Sequence, residues 1–107
     1  MPTDNAGDVR VALVNRALDG GLGICLKYHQ KHLPRFIQWK MMGYGTYVLG
    51  LEPANCCVEG RDVERARGTL QVLQPGEKVS YSLELGVLDG LQEIEQCAQQ
   101  IRLGAGL

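Results

Sequence analysis

The stretch KVSYSLELGVL, residues 78–88, constrains the fold more than any other part of this chain. Val79, Tyr81, Leu83, Leu85 and Val87 alternate strictly with Ser80, Ser82, Glu84 and Gly86. A period of two places the apolar set on one face of a strand and the small and polar set on the other. Such a strand belongs in an antiparallel sheet with one buried and one solvated face. It follows LQPGE (73–77), where Pro75-Gly76 marks a tight turn.

Four more segments read as strands. VRVALVN (9–15) and GICLKYHQ (23–30) flank RALDGGL, whose Asp19-Gly20-Gly21 is a turn signal. FIQWKMM (36–42) follows Pro34, and Gly43 and Gly45 separate it from a strand over 46–52 that Pro53 is expected to stop. Residues 53–77 are irregular, with a turn or two of charged helix in EGRDVERARG. The tail changes period: Leu91, Ile94, Cys97 or Ala98, and Ile101 recur at helical spacing. Asp89 with Gln92 suggests a capping box, and Gly104 and Gly106 a stop, so a helix is expected at about 90–102. The expected organisation is a flexible N-terminus over 1–8 and one domain over 9–103. The class is mainly β, an antiparallel β-sandwich with one C-terminal α-helix.

Composition narrows the function. Eleven Lys and Arg against twelve Asp and Glu leave a net charge of −1, without the basic excess that nucleic-acid binding uses. No apolar run reaches the roughly 18–20 residues that span a bilayer, and no secretory leader is visible, so a cytoplasmic protein without membrane association is expected. Of the four cysteines, Cys56 and Cys57 are adjacent. That is a poor start for two ordinary bridges, and free thiols are expected. There is no C-x-x-C pair, and His29 and His32 lie on no helix, so no metal site is expected. Five or six strands in a chain this short leave sheet edges to cover, which points to a homo-oligomer, a dimer or higher.

Several residues are candidates for chemistry. Val48, Gly50 and Glu52 share one face of their strand. A carboxylate beside a glycine leaves room for a ligand, and partial burial would make Glu52 a general base. Equally, Glu52 is where a strand meets water. Gln38 and Lys40 share one face and would grip hydroxyl groups, while Trp39 on the other is either a platform for a sugar ring or core. Asn55 follows the strand end and is a further ligand-binding candidate. His29 lies on the polar face with Lys27, either as an acid or as surface imidazole. Asn15 and Arg16 end the first strand as donors or as turn residues. Arg61, Asp62, Glu64, Arg65 and Arg67 read as a solvated charged face. No phosphate-binding glycine loop, nucleophile elbow or Cys–His signature is present.

LPRFIQWKMMGYGTYVLGLEPANC (33–56), GRD (60–62), GTLQVLQPGE (68–77) and YSLELGVLDG (81–90) together resemble the C-terminal part of an aldose 1-epimerase-like family of the galactose mutarotase-like superfamily. Its members are mostly of unknown function, and the resemblance spans about residues 9–95. It implies a share of a large antiparallel supersandwich that binds a monosaccharide in a cleft on one sheet. In aldose epimerases a glutamate on a late strand takes the anomeric hydroxyl proton while a histidine protonates the ring oxygen, without cofactor. Glu52 matches that glutamate. The family's catalytic histidines and arginine come from upstream segments, which are not expected within this chain. The resemblance therefore implies a truncated, carbohydrate-binding domain without full catalytic machinery. The alternatives are an epimerase completed across an oligomer interface and an interaction module with no catalysis.

Overall fold

A computed structural model describes residues 7–104. Its elements, in chain order, are β1 (Asp8–Asn15), β2 (Leu22–His29), β3 (Arg35–Gly43), β4 (Thr46–Ala54), α1 (Arg61–Arg67), β5 (Leu83–Asp89) and α2 (Leu91–Gly104). The protein is mainly β, with five strands in two antiparallel sheets and two helices, one of them C-terminal. The described residues form two compact units. One runs to Gln30 and resumes at Ser82; the other is Lys31–Tyr81. Of the segment 1–8 expected to be flexible, residues 1–6 lie outside the described residues. The Gly7 carbonyl accepts from the Gln30 N–H at 3.0 Å, and Asp8 opens β1.

In the first unit β2 is the central strand of a three-stranded sheet, order β1-β2-β5. The β1–β2 connection uses the expected turn, with Asp19 (φ 48°), Gly20 (φ 76°) and Gly21 (φ 111°) all in the left-handed region. Asn15 Oδ1 accepts from the Ala17 N–H at 3.0 Å, and the Gly21 N–H donates to the Leu18 carbonyl at 2.8 Å. Gly21 is needed twice over, because a Cβ there would stand 3.0 Å from the Leu91 side chain and 3.1 Å from its backbone nitrogen. The Gly21 carbonyl in turn accepts from the Gly90 N–H, tying the turn to the start of α2.

Register fixes the two sheet faces. Val11↔Leu26↔Leu85 and Leu13↔Ile24↔Val87 lie on one, and Ala12↔Cys25↔Gly86 on the other. The Cys97 Sγ stands 3.3 Å from Cys25 Sγ, so α2 covers the face with the small residues. Ile94 (1% exposed) and Cys97 are buried on its inner side, with Ala98 and Ile101 half-buried. The helix begins at Leu91, and its capping group differs from the expected pair. Glu93, not Gln92, reaches back to the Asp89 N–H at 2.6 Å.

Two expectations for the strand at 78–88 are corrected. Pairing starts only at Leu83, opposite Tyr28, because β2 ends one residue later at His29. The apolar face is also not buried: Leu83, Leu85 (71% exposed) and Val87 all meet solvent. The helix takes the opposite face, and β5 is an edge strand. Val9, Leu26 and Tyr28 are buried, and that burial raises the Tyr28 phenol above its ordinary range.

In the second unit β3 and β4 form a hairpin closed by Tyr44-Gly45, with Gly45 left-handed at φ 76°. Pro53 does not stop β4; it pairs with Phe36 and the strand runs on to Ala54. In a two-stranded sheet every strand is an edge, and a proline with no N–H is tolerated there. Between Gly60 and the left-handed Gly68 (φ 75°) lies α1. Farther on, the Glu77 N–H donates to the Gln74 carbonyl at 2.9 Å across Pro75-Gly76, with Gly76 at φ 80°, as the turn signal requires.

Candidate functional site

The β3–β4 register sorts the candidates. Trp39 lies directly opposite Gly50, and Ile37 opposite Glu52. Directly opposed residues share a face, so Trp39, Gly50 and Glu52 stand together, with Ile37 beside them. Gln38 pairs with Leu51 and Lys40 with Leu49, on the other face. The hairpin thus brings Trp39 to Glu52 and holds Gln38 and Lys40 away from both.

Trp39 is 49% exposed, so the only tryptophan is not a core residue. Glu52 is exposed as well, without the partial burial that would favour a general base. Its carboxylate does not stand clear of the sheet. It folds back along the strand over Gly50, where a Cβ would meet Glu52 Oε1 at 2.7 Å. The glycine is therefore the floor on which the carboxylate rests, on the strand face that Trp39 shares. This open face offers a flat apolar ring and an ionisable acceptor within one cross-strand spacing, about 5–8 Å.

Asn55 lies just beyond β4. Its Nδ2 donates to the Tyr81 hydroxyl at 3.2 Å, and both side chains line an open cavity of about 500 Å³ with Gln71, Glu77, Lys78 and Val79. The amide, phenol, carboxylate and ammonium groups there make it a hydrogen-bonding cavity. Asn55 also borders a smaller cavity of about 230 Å³ with Cys56, Cys57, Arg61 and Glu64.

Glu64 does not belong to the solvated charged face that the charge run suggests. It is 3% exposed. Its Oε2 accepts from the Thr69 hydroxyl at 2.5 Å and its Oε1 from the Cys57 N–H at 2.7 Å. The Glu64 carbonyl accepts from the N–H groups of Thr69 and Leu70. The Thr69 hydroxyl first, and then the Cys57 backbone, hold the Glu64 carboxyl below its ordinary range. One side chain thereby joins the loop after β4, helix α1 and the chain beyond it. The sequence signal is modest: a glutamate followed by Gly68-Thr69, where a glycine ends the helix and a hydroxyl comes next.

His29 sits in β2 of the first unit, and His32 precedes β3 in the second. Asn15 serves the turn by accepting from the Ala17 N–H, and Arg16 is paired to Glu95 on α2 at 2.9 Å. Among the described residues no group of three or more His, Cys, Asp or Glu side chains is placed to hold a metal ion, and no helix is long and apolar enough to cross a membrane.

Comparison with known proteins gives a family match. Residues 1–87 fit the family described as a domain of unknown function, DUF4432. Neither the curated proteins nor the solved structures give a match.

Proposed function

The chain belongs to the DUF4432 family, and from the geometry of its hairpin we propose that it is a carbohydrate-binding, mutarotase-like β domain. The observation that carries this reading is the pairing of a half-exposed Trp39 with Glu52 across Gly50 on one open face. An indole offers a flat apolar surface to the C–H face of a pyranose, and such aromatic contacts contribute about 0.5–1.5 kcal/mol beyond area burial. A carboxylate accepts hydroxyl hydrogen bonds of the charge-assisted kind, which are the strong ones. Asn55 and Tyr81 supply amide and phenol groups to an open cavity in the same unit, whose lining includes neither Trp39 nor Glu52. Gln38 and Lys40 fall on the opposite face of the hairpin and are left out of the site.

Isothermal titration against a panel of aldoses tests the proposal. Binding to at least one aldose is expected, weakened about tenfold by Trp39→Ala and weakened also by Glu52→Gln. No heat with any sugar sinks it.

A second reading is favoured by the uncovered apolar face of β5 and the open Glu52. Here the sheets are a share of a mutarotase-like supersandwich, a second copy covers Leu83, Leu85 and Val87, and the oligomer completes an aldose 1-epimerase with Glu52 as general base. Such an enzyme uses acid–base chemistry on a hemiacetal and takes no cofactor. Polarimetry on a pure anomer decides it: equilibration no faster than buffer rules out catalysis. A monomeric mass by light scattering rules out the self-association.

A further inference from the structure

We infer that Cys25 and Cys97 are a disulfide-forming pair, an oxidation site that fastens α2 to the central strand of its sheet. The two thiols belong to one unit, come from positions 72 apart in sequence, and meet at an Sγ–Sγ distance of 3.3 Å. Both are free. A disulfide needs its sulfurs at about 2.05 Å, so closure asks for a movement of little more than about 1 Å. The side chains already point at each other, because the thiol of Cys97 lies in hydrogen-bonding contact with that of Cys25.

The surroundings set how the pair reacts. Cys97 is buried on the inner side of α2, whereas Cys25 is half-buried and is the more exposed of the two. Burial first, and the Cys97 thiol beside it, push the Cys25 thiol up to about 11. The charges that act on Cys25 are Arg10 on β1, which favours its thiolate, and Glu84 on β5, which opposes it. The thiolate is the nucleophile, so oxidation is slow near neutrality and speeds up about tenfold per pH unit as the thiolate fraction grows. The site is a latent clasp rather than a fast sensor.

With hydrogen peroxide as oxidant the step balances. The Cys25 thiolate attacks one peroxide oxygen, the O–O bond breaks, and with one proton taken up a molecule of water leaves; Cys25 becomes a sulfenic acid. The Cys97 sulfur then attacks the Cys25 sulfur, the S–O bond breaks, and the Cys97 proton leaves with the hydroxyl as a second water. Two thiols have lost two hydrogens, and the peroxide has been reduced to two waters.

The test uses the whole chain carrying Cys56→Ser and Cys57→Ser, which removes the remaining thiols. The Cys57→Ser change keeps the backbone N–H that serves Glu64. Folded protein is treated with hydrogen peroxide at several pH values, unfolded in the presence of an alkylating agent, and mapped by mass spectrometry without reduction. The expected result is a linked Cys25–Cys97 peptide, reversible by dithiothreitol, a yield that climbs with pH, and a melting temperature raised by several degrees over the reduced form. Cys25→Ser and Cys97→Ala should each abolish both the link and the shift. Should either variant fail to fold, the peptide map of the parent protein decides alone. Two alkylated thiols after exhaustive peroxide treatment, or a link that forms only in urea, overturns the inference.

Discussion

Glu52 Oε1 lies 2.7 Å from where a Cβ on residue 50 would stand, so Gly50 and the Glu52 carboxylate share one small space on the hairpin. The φ of Gly50 is not positive, so nothing in the backbone requires a glycine there. What the position requires is an empty floor. The two residues form one functional unit across a single strand period, facing Trp39 on the neighbouring strand.

Gly50→Ala separates the fold from the site. Alanine is better than glycine in a strand interior by about 0.5–1 kcal/mol, and its clash falls on the far end of a flexible side chain. Stability is therefore expected to stay within about 1 kcal/mol of the parent. The carboxylate has to swing off the indole side, and aldose affinity is expected to fall about tenfold or more, the loss of one hydrogen bond to a charged group. Thermal melting and calorimetric titration of the same sample check both halves.

Glu64 makes a prediction about acid. Its folded-state pKa lies below the ordinary 4.5, so the folded protein holds its proton less tightly than the unfolded chain does. The stabilisation is fully present above the unfolded value and is lost as pH falls through it towards the folded one. Glu64→Gln and Thr69→Val should each lower the melting temperature at neutral pH. Both should also flatten its decline as pH falls below about 4.5. An acid profile that keeps the parent's slope in Glu64→Gln would show that other carboxylates carry it.

Strands and turns were legible because they have local causes. Asp19-Gly20-Gly21, Gly43/Gly45 and Pro75-Gly76 announce turns through backbone freedom, and two-residue alternation announces strands. Where β5 starts was not legible. Val79 and Tyr81 continue the alternation, but β2 ends at His29 and offers those positions no partner. Alternation states which residues suit a strand; the length of the neighbour decides which of them join one. The direction of burial failed for a similar reason. The helix settles on the face of Ala12 and Cys25, where Cys97 meets Cys25, and leaves Leu85 and Val87 outside.

The candidate site was half legible. A two-residue period put Gly50 and Glu52 on one face, but which face of β3 they meet depends on register. Only the pairing of Trp39 with Gly50 shows that the indole, not Gln38 or Lys40, is the neighbour. Glu64 was opaque because its partners, Cys57 and Thr69, come from loops on either side of a seven-residue helix. In a run of charges the only local hint of the one that turns inward is the Gly68-Thr69 that follows it.

Ile94 is the apolar anchor of α2, at 1% exposure. Ile94→Ala removes about three carbons from a filled space and is expected to cost about 2–5 kcal/mol, a large part of the roughly 5–15 kcal/mol that holds an ordinary domain together. Leu103, on the same helix and 75% exposed, is the control. Leu103→Ala should stay within about 0.5 kcal/mol. Urea unfolding followed by far-UV circular dichroism gives both numbers; equal losses would mean that α2 is not anchored through Ile94.

Cys25 predicts alkaline sensitivity in the reduced protein. Its thiol rises from 9.0 to about 11 on folding, for burial first and the Cys97 contact second. Between those values the folded state keeps a proton that the unfolded chain releases. The unfolded state therefore binds fewer protons, and stability falls as pH rises from about 9 to about 11. The buried Tyr28 phenol, also raised, adds a decline in the same direction above 10. Comparing the parent with Cys25→Ser under dithiothreitol isolates the thiol, because Tyr28 is common to both. The variant should lose less stability over that window, with the two curves diverging above about pH 9 and running parallel below it. Parallel curves throughout would mean that the Cys25 thiol ionises as freely in the folded chain as in the unfolded one.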